Sequence, residues 1–159
     1  MKNIFRIAAF LLLVAAAAMP QTEPAPEPQI GDEITGMYSF VREGEFVEIE
    51  VDNGKVTGVV SRFKDDDPEK TEFVDQFFAE AKLEGYRLSF RTKPAGGVWF
   101  EFSGVVERGA GKTPADEGYW NIRGTLTELH TASDGKVTQK TSALTLKSFP
   151  QDAQPAPQK

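Results

Sequence analysis

The stretch FVEIEVDNGKVTGVVSRF, residues 46–63, sets two runs of alternating apolar and polar residues around Asn53-Gly54. A period of two marks a half-buried strand, and Asn-Gly is the pair that best tolerates the positive φ of a tight hairpin. Residues opposed across a hairpin must point to one side of the sheet, so the reading can be tested within the sequence. Here Val51 meets Val56, Ile49 meets Gly58 and Val47 meets Val60 on one face, with Asp52 beside Lys55.

The same test works outward along the chain. In FFAEAKLEGYRLSFRT, residues 77–92, a Glu84-Gly85 turn opposes Leu83 to Tyr86, Ala81 to Leu88 and Ala79 to Phe90. A loop at Ala95-Gly96-Gly97 opposes Thr92 to Phe100 and Phe90 to Phe102, and one at Ser133-Asp134-Gly135 pairs Leu126 with Ser142, Gly124 with Leu144 and Ile122 with Leu146. Glu43-Gly44 joins a first strand, Ile34 to Val41, to the second, facing Phe40 with Val47. These hairpins predict an all-β fold, an eight-stranded antiparallel up-and-down meander closed into a barrel.

Two connections are longer. Between strands 3 and 4, Asp67 as a cap, Pro68 at a first helical position and Phe73, Val74 and Phe77 on one side predict one short helix. Alternation places it across the barrel end that also holds the turns at Glu43, Ala95 and Asp134, which makes that end the candidate mouth. The run Asp65-Asp66-Asp67 lacks the alternating ligands, Gly and distal Glu of a calcium loop and reads as solvated charge. The other connection, Gly109 to Gly118, contains GAGKT, but Val106 stands where a phosphate-binding loop needs its first Gly, and Pro114 follows instead of a helix. It reads as a loop between strands.

The ends of the chain are of another kind. Lys2 and Arg6 precede an apolar run closing in Ala15–Ala18, the pattern of an export signal over residues 1–18. A Pro-rich linker (19–29) and a Pro- and Gln-rich tail (150–159) lack apolar periodicity and are expected to be disordered, leaving a barrel domain over 30–149. The whole chain carries a net charge of −6, with 18 basic and 24 acidic side chains. Removing residues 1–18 leaves 16 against 24, a net −8, which argues against nucleic acid as a partner. Outward charges at Glu48, Glu50, Lys82, Glu101, Glu107 and Lys147 argue against membrane insertion of the mature domain. The localisation expected is periplasmic or extracellular.

One pattern recurs along the strands: apolar-x-Gly-x-apolar, at Ile34–Tyr38, Val56–Val60, Phe102–Val106 and Ile122–Leu126. A glycine on the inward face either coils the strand to close a small barrel or leaves room for a ligand. Small soluble meander barrels with Gly-x-aromatic on the first strand form the calycin group, and Gly36-Met37-Tyr38 is similar to the Gly-x-Trp of lipocalins and avidins, with Tyr in place of Trp. The resemblance spans about Ile34 to Phe149 and implies the architecture; no ligand residue carries over.

Inward parity gathers Tyr38, Phe40, Tyr86, Phe90, Phe100, Phe102 and Trp120. An eight-stranded barrel is just wide enough to be filled by side chains or to hold one small ligand, so these residues either fill the interior or line an apolar pocket. The pocket's candidate binding residues are Tyr38, Tyr86, Phe90, Phe100, Phe102 and Trp120, for a small hydrophobic or amphipathic molecule. Outside, Trp99 with Phe46, Val59 and Val105 is a candidate interaction patch. No cofactor motif is present, and a single histidine, His130, with no cysteine leaves no His or Cys metal site and no nucleophilic pair. Three function classes follow: a ligand-binding barrel, a filled interaction or structural module of the cell envelope, and an enzyme on a calycin-like shell.

Overall fold

The computed structural model describes residues 30–64 and 72–151; the expected signal segment, the linker, most of the tail and the Asp67-Pro68 helix start lie outside them. A 3-10 turn at Asp32–Ile34 precedes eight strands: β1 Gly36–Ser39, β2 Phe46–Asp52, β3 Lys55–Phe63, β4 Phe73–Glu84, β5 Arg87–Thr92, β6 Val98–Arg108, β7 Trp120–Thr131 and β8 Val137–Lys147. They lie in chain order in one sheet, each antiparallel to the next. The sheet curls into a half-barrel.

Three hairpins have the register their sequences dictate: Val51 opposite Val56, Phe90 opposite Phe102 and Leu126 opposite Ser142. Two others keep the expected face but change partners. Tyr38, not Phe40, faces Val47. In the β4–β5 hairpin Glu84 faces Arg87 and Leu83 faces Leu88, so the turn is Gly85-Tyr86, and a bulge between Phe78 and Glu80 brings Phe78 inward in place of Ala79. A register shift of two residues preserves the face, which is why an apolar pattern alone cannot detect it.

The described part of the expected helix is strand. Phe73, Val74 and Phe77 belong to β4, where Phe73 pairs with Phe63 and Phe77 with Val59. Their sequence satisfies a period of two as well: Phe73, Asp75 and Phe77 point outward, Val74, Gln76 and Phe78 inward. Extending β3's ladder satisfies backbone groups that a one-turn helix would leave open. Closure also differs from expectation. β1 and the C-terminal end of β8 join over a short stretch, through the Tyr38–Ser148 bridge and the flanking bonds from Lys147 N–H to Ser39 Oγ and from Phe149 N–H to Met37 O, because β1 is four residues long and the chain leaves at Phe40, whose N–H donates to Glu45 O (3.1 Å) as the turn begins.

One end is plugged by the 3-10 turn. Ile34 is fully buried there, and the buried Tyr38 hydroxyl donates to its carbonyl at 2.6 Å; burial pushes the pKa of the Tyr38 phenol well above the ordinary tyrosine range. Gln151 ties down the same end, donating to Thr35 O (2.6 Å).

Candidate functional site

The interior is built from rings. Phe90 stacks between Phe78 (centroids 4.3 Å apart) and Phe102 (5.3 Å), and Phe40 meets Phe100 edge-on at 5.3 Å. Offset and edge-on geometries are those the aromatic quadrupole favours. The glycines that leave space along the strands are explained by the same rings. A Cβ on Gly58 would lie 2.5 Å from the Phe78 ring, and one on Gly104 would lie 2.7 Å from the Phe102 ring. Gly104 and Gly124 face each other across β6 and β7, where a Cβ on Gly124 would strike Gly104 Cα at 2.5 Å and the Ser103 carbonyl. The glycine gaps are occupied by the chain's own phenyl groups and by close strand approach.

Of the residues expected to line an interior pocket, Tyr38, Phe90, Phe100 and Phe102 are buried together in this core. Trp120 packs half-buried at its margin, edge-on to Tyr119, with the Arg108 guanidinium over both rings. Tyr86 stands in the β4–β5 turn and is exposed, since the turn falls one residue later than its Glu-Gly pair suggests.

At the opposite end, near the turns of β1–β2 and β5–β6, the wall becomes polar. Gln76, 1 % exposed, donates to Lys93 O (3.0 Å) and Val98 O (2.8 Å) and accepts from Arg62 Nε (2.7 Å). Buried Glu45 accepts from Arg42 Nε (2.9 Å) and from the N–H of Arg42 and of Phe63, both 3.1 Å. His130 sits at this rim on the exposed end of β7, 2.8 Å from Glu128.

The 109–118 loop carries its own anion. The Asp116 carboxylate accepts the N–H of Lys112 (2.9 Å) and Thr113 (2.8 Å) and the Thr113 hydroxyl (3.2 Å). Those backbone bonds, Thr113's first, stabilise the charged carboxylate and hold its pKa below the ordinary carboxylate range. The Lys112 and Thr113 amides, which a phosphate would need, are already taken.

Two regions of the outer surface stand apart. On the outside of β1–β4, Met37, Val59 and Phe77 share one row across the sheet with Glu48 between the first two, while Phe46 and the Phe63–Phe73 pair (centroids 4.6 Å apart) lie in adjoining rows. Phe77 is 59 % exposed and Phe73 45 %; Glu48 and Asp75 stand among these side chains and Glu50 beside them. This apolar face was hidden in the sequence because Phe73 and Phe77 fit a helix as well as a strand. Phe46 and Val59 belong to it. Trp99 does not: it sits on β6 opposite Leu129, its indole N–H buried without a hydrogen-bond partner, and Val105 lies on that same strand beside Arg87 and Arg123. The expected patch is thus split between two sides of the barrel.

Across the outside of β4–β7 runs an open groove of about 880 Å³ lined by Glu80, Lys82, Ser89, Arg91, Glu101, Ser103, Thr125 and Thr127, over the chain at Ala81, Phe90 and Phe102. Arg91 reaches Glu101 at 3.7 Å. Charges of both signs and hydroxyls share this surface. Among the described residues no group of His, Cys or carboxylate side chains converges as a metal site, and no helix is long and apolar enough to cross a membrane. No protein family, curated protein or solved structure matches the chain.

Proposed function

We propose that this chain is an exported interaction module of the cell envelope, a calycin-like shell with a filled interior that engages a protein partner through the apolar outer face of β1–β4. The observation that carries the reading is the cluster of Met37, Phe46, Val59, Phe73 and Phe77 on one outward surface, with Phe77 and Phe73 largely open to solvent. Exposed apolar side chains gathered on one face mark protein interfaces. The carboxylates of Glu48 and Asp75 among these side chains, with Glu50 beside them, call for a partner surface that intersperses Lys or Arg with apolar contacts. Occupation of the glycine gaps by Phe78 and Phe102 favours this reading over carriage of a small apolar molecule inside.

The test is site-specific photocrosslinking in the native host, with a photoreactive phenylalanine analogue at Phe77 and, separately, at Ser103 on the opposite side. A discrete protein adduct from position 77 and none from 103 is expected. Adducts from neither, together with a small apolar molecule bound one per chain in native mass spectrometry, would reverse the order of the two readings.

A further inference from the structure

β8 has an open edge. Among the described residues its strand partners are β7 along its length and β1 at the Tyr38–Ser148 bridge, and Val137 through Ala143 are exposed on both faces. The hydrogen bonds at its end tell which groups the edge offers. Ser148 donates its N–H to Trp120 O (2.9 Å) on the β7 side, while Lys147 N–H reaches Ser39 Oγ (3.1 Å) and Phe149 N–H reaches Met37 O (2.8 Å) on the β1 side. The β7–β8 register is unbroken from Lys147 to Val137. Alternation therefore turns the N–H and C=O of Val137, Gln139, Thr141, Ala143 and Thr145 toward the edge. A row of unpaired backbone groups of this length is a template for another strand.

We propose that a second copy of this chain fills it, β8 pairing antiparallel with β8 about a twofold axis at Thr141. In that register Gln139 faces Ala143 of the second copy and Val137 faces its Thr145, so every outward backbone group meets its complement. Charge agrees with this register: Lys140 lies opposite Ser142 of the second copy, not opposite the second Lys140, and keeps Glu128 of its own chain as cross-strand neighbour. The side chains on the outer surface agree too. Thr127 and Thr141 already share a hydroxyl hydrogen bond of 3.1 Å, and the twofold extends it into a row of four threonines that joins the polar grooves of the two copies. The pairing involves β8 alone and leaves the aromatic face of β1–β4 free, so crosslinking at Phe77 and the experiment below fail independently.

The experiment is sedimentation equilibrium of the mature chain over the micromolar to millimolar range, with Thr141→Pro beside it. Because the Thr141 N–H faces the edge, proline there removes no β7–β8 hydrogen bond. Dimerisation is expected in the parent, with dissociation at least about tenfold easier in Thr141→Pro at an unchanged circular dichroism spectrum. If that variant does not fold, Thr141→Lys replaces it with the same expected loss. Amide exchange adds a readout free of substitution: protection of residues 137, 139, 141, 143 and 145 rises with concentration, while that of 138, 140 and 142 does not. A parent that stays monomeric throughout, or a dimer indifferent to the substitution, overturns the proposal.

Discussion

Phe77 and Phe78 are consecutive in β4, yet one is the most open phenylalanine of the outer face and the other lies in the ring stack of the core. They open two different regions of the molecule. The outer surface of β1–β4 is apolar with carboxylates among its side chains, whereas that of β4–β7, on the far side of the same strand, is hydroxylated and charged with both signs. Behind both lies the apolar core, which turns polar at the Gln76 and Glu45 end. The difference teaches that the inward residues make the fold, while the two outer surfaces differ in chemistry and are where the proposed recognition would be read.

The sharpest way to break that division is to cut the ring stack. Phe90→Ala removes the ring between Phe78 and Phe102 and is expected to lower stability by about 3–5 kcal/mol, the usual cost of a buried phenyl group and the cavity it leaves. Urea denaturation with an unchanged slope would read it. A loss below about 1 kcal/mol would mean that the interior holds slack space, and would return weight to the ligand-carrier reading.

Next in size is the buried carboxylate that anchors the β1–β2 turn behind the apolar face. Glu45→Ala leaves the Phe63 N–H and the Arg42 guanidinium without this acceptor, and should cost about 1–3 kcal/mol. Glu45→Gln keeps an acceptor and should recover part of that loss. Equal losses in the two would show that charge, not hydrogen bonding, is what the site uses.

These two regions were not equally legible in the sequence. Inward residues were readable because burial enforces a period of two, and a turn such as Asn53-Gly54 fixes register with it. Val51, Ile49 and Val47 therefore sit opposite Val56, Gly58 and Val60 as their spacing requires. The pattern was silent wherever a two-residue slip costs nothing in polarity, as at Tyr38 and Val47, and wherever a bulge changes parity, as between Phe78 and Glu80. The length of β1 was also out of reach, since Phe40 and Val41 continue the alternation after the strand has ended, and with it the open edge of β8. The candidate face was the least legible of all. Phe73 and Phe77 stay largely exposed on the outer face, so burial did not single out their period of two over that of a helix, and Trp99 resembles Phe46 only in being an outward aromatic.

On the apolar face itself, Phe77→Ser should separate recognition from folding. The side chain is mostly in water already, so stability should change by no more than about 0.5 kcal/mol, while partner capture in the crosslinking host falls several-fold when a neighbouring position, Met37, carries the photoreactive group. A stability loss like that of Phe90→Ala would place Phe77 in the structural set and end the division at β4.

The smallest effect is expected on the polar side, and its smallness is the point. Arg91 and Glu101 are about half-exposed, with 3.7 Å between them, and an exposed pair in such a setting couples by about 0.5 kcal/mol or less. A double-mutant cycle of Arg91→Ala and Glu101→Ala, read by urea denaturation at low and high salt, should return that value or less at low salt and nothing at high salt. Side chains that contribute so little to the fold can be exchanged without unfolding the protein, so any loss of binding in these variants reports on recognition alone. A coupling above about 1 kcal/mol, persisting in salt, would instead make the groove a structural clasp between β5 and β6 and leave the apolar face as the sole outer surface free of the fold.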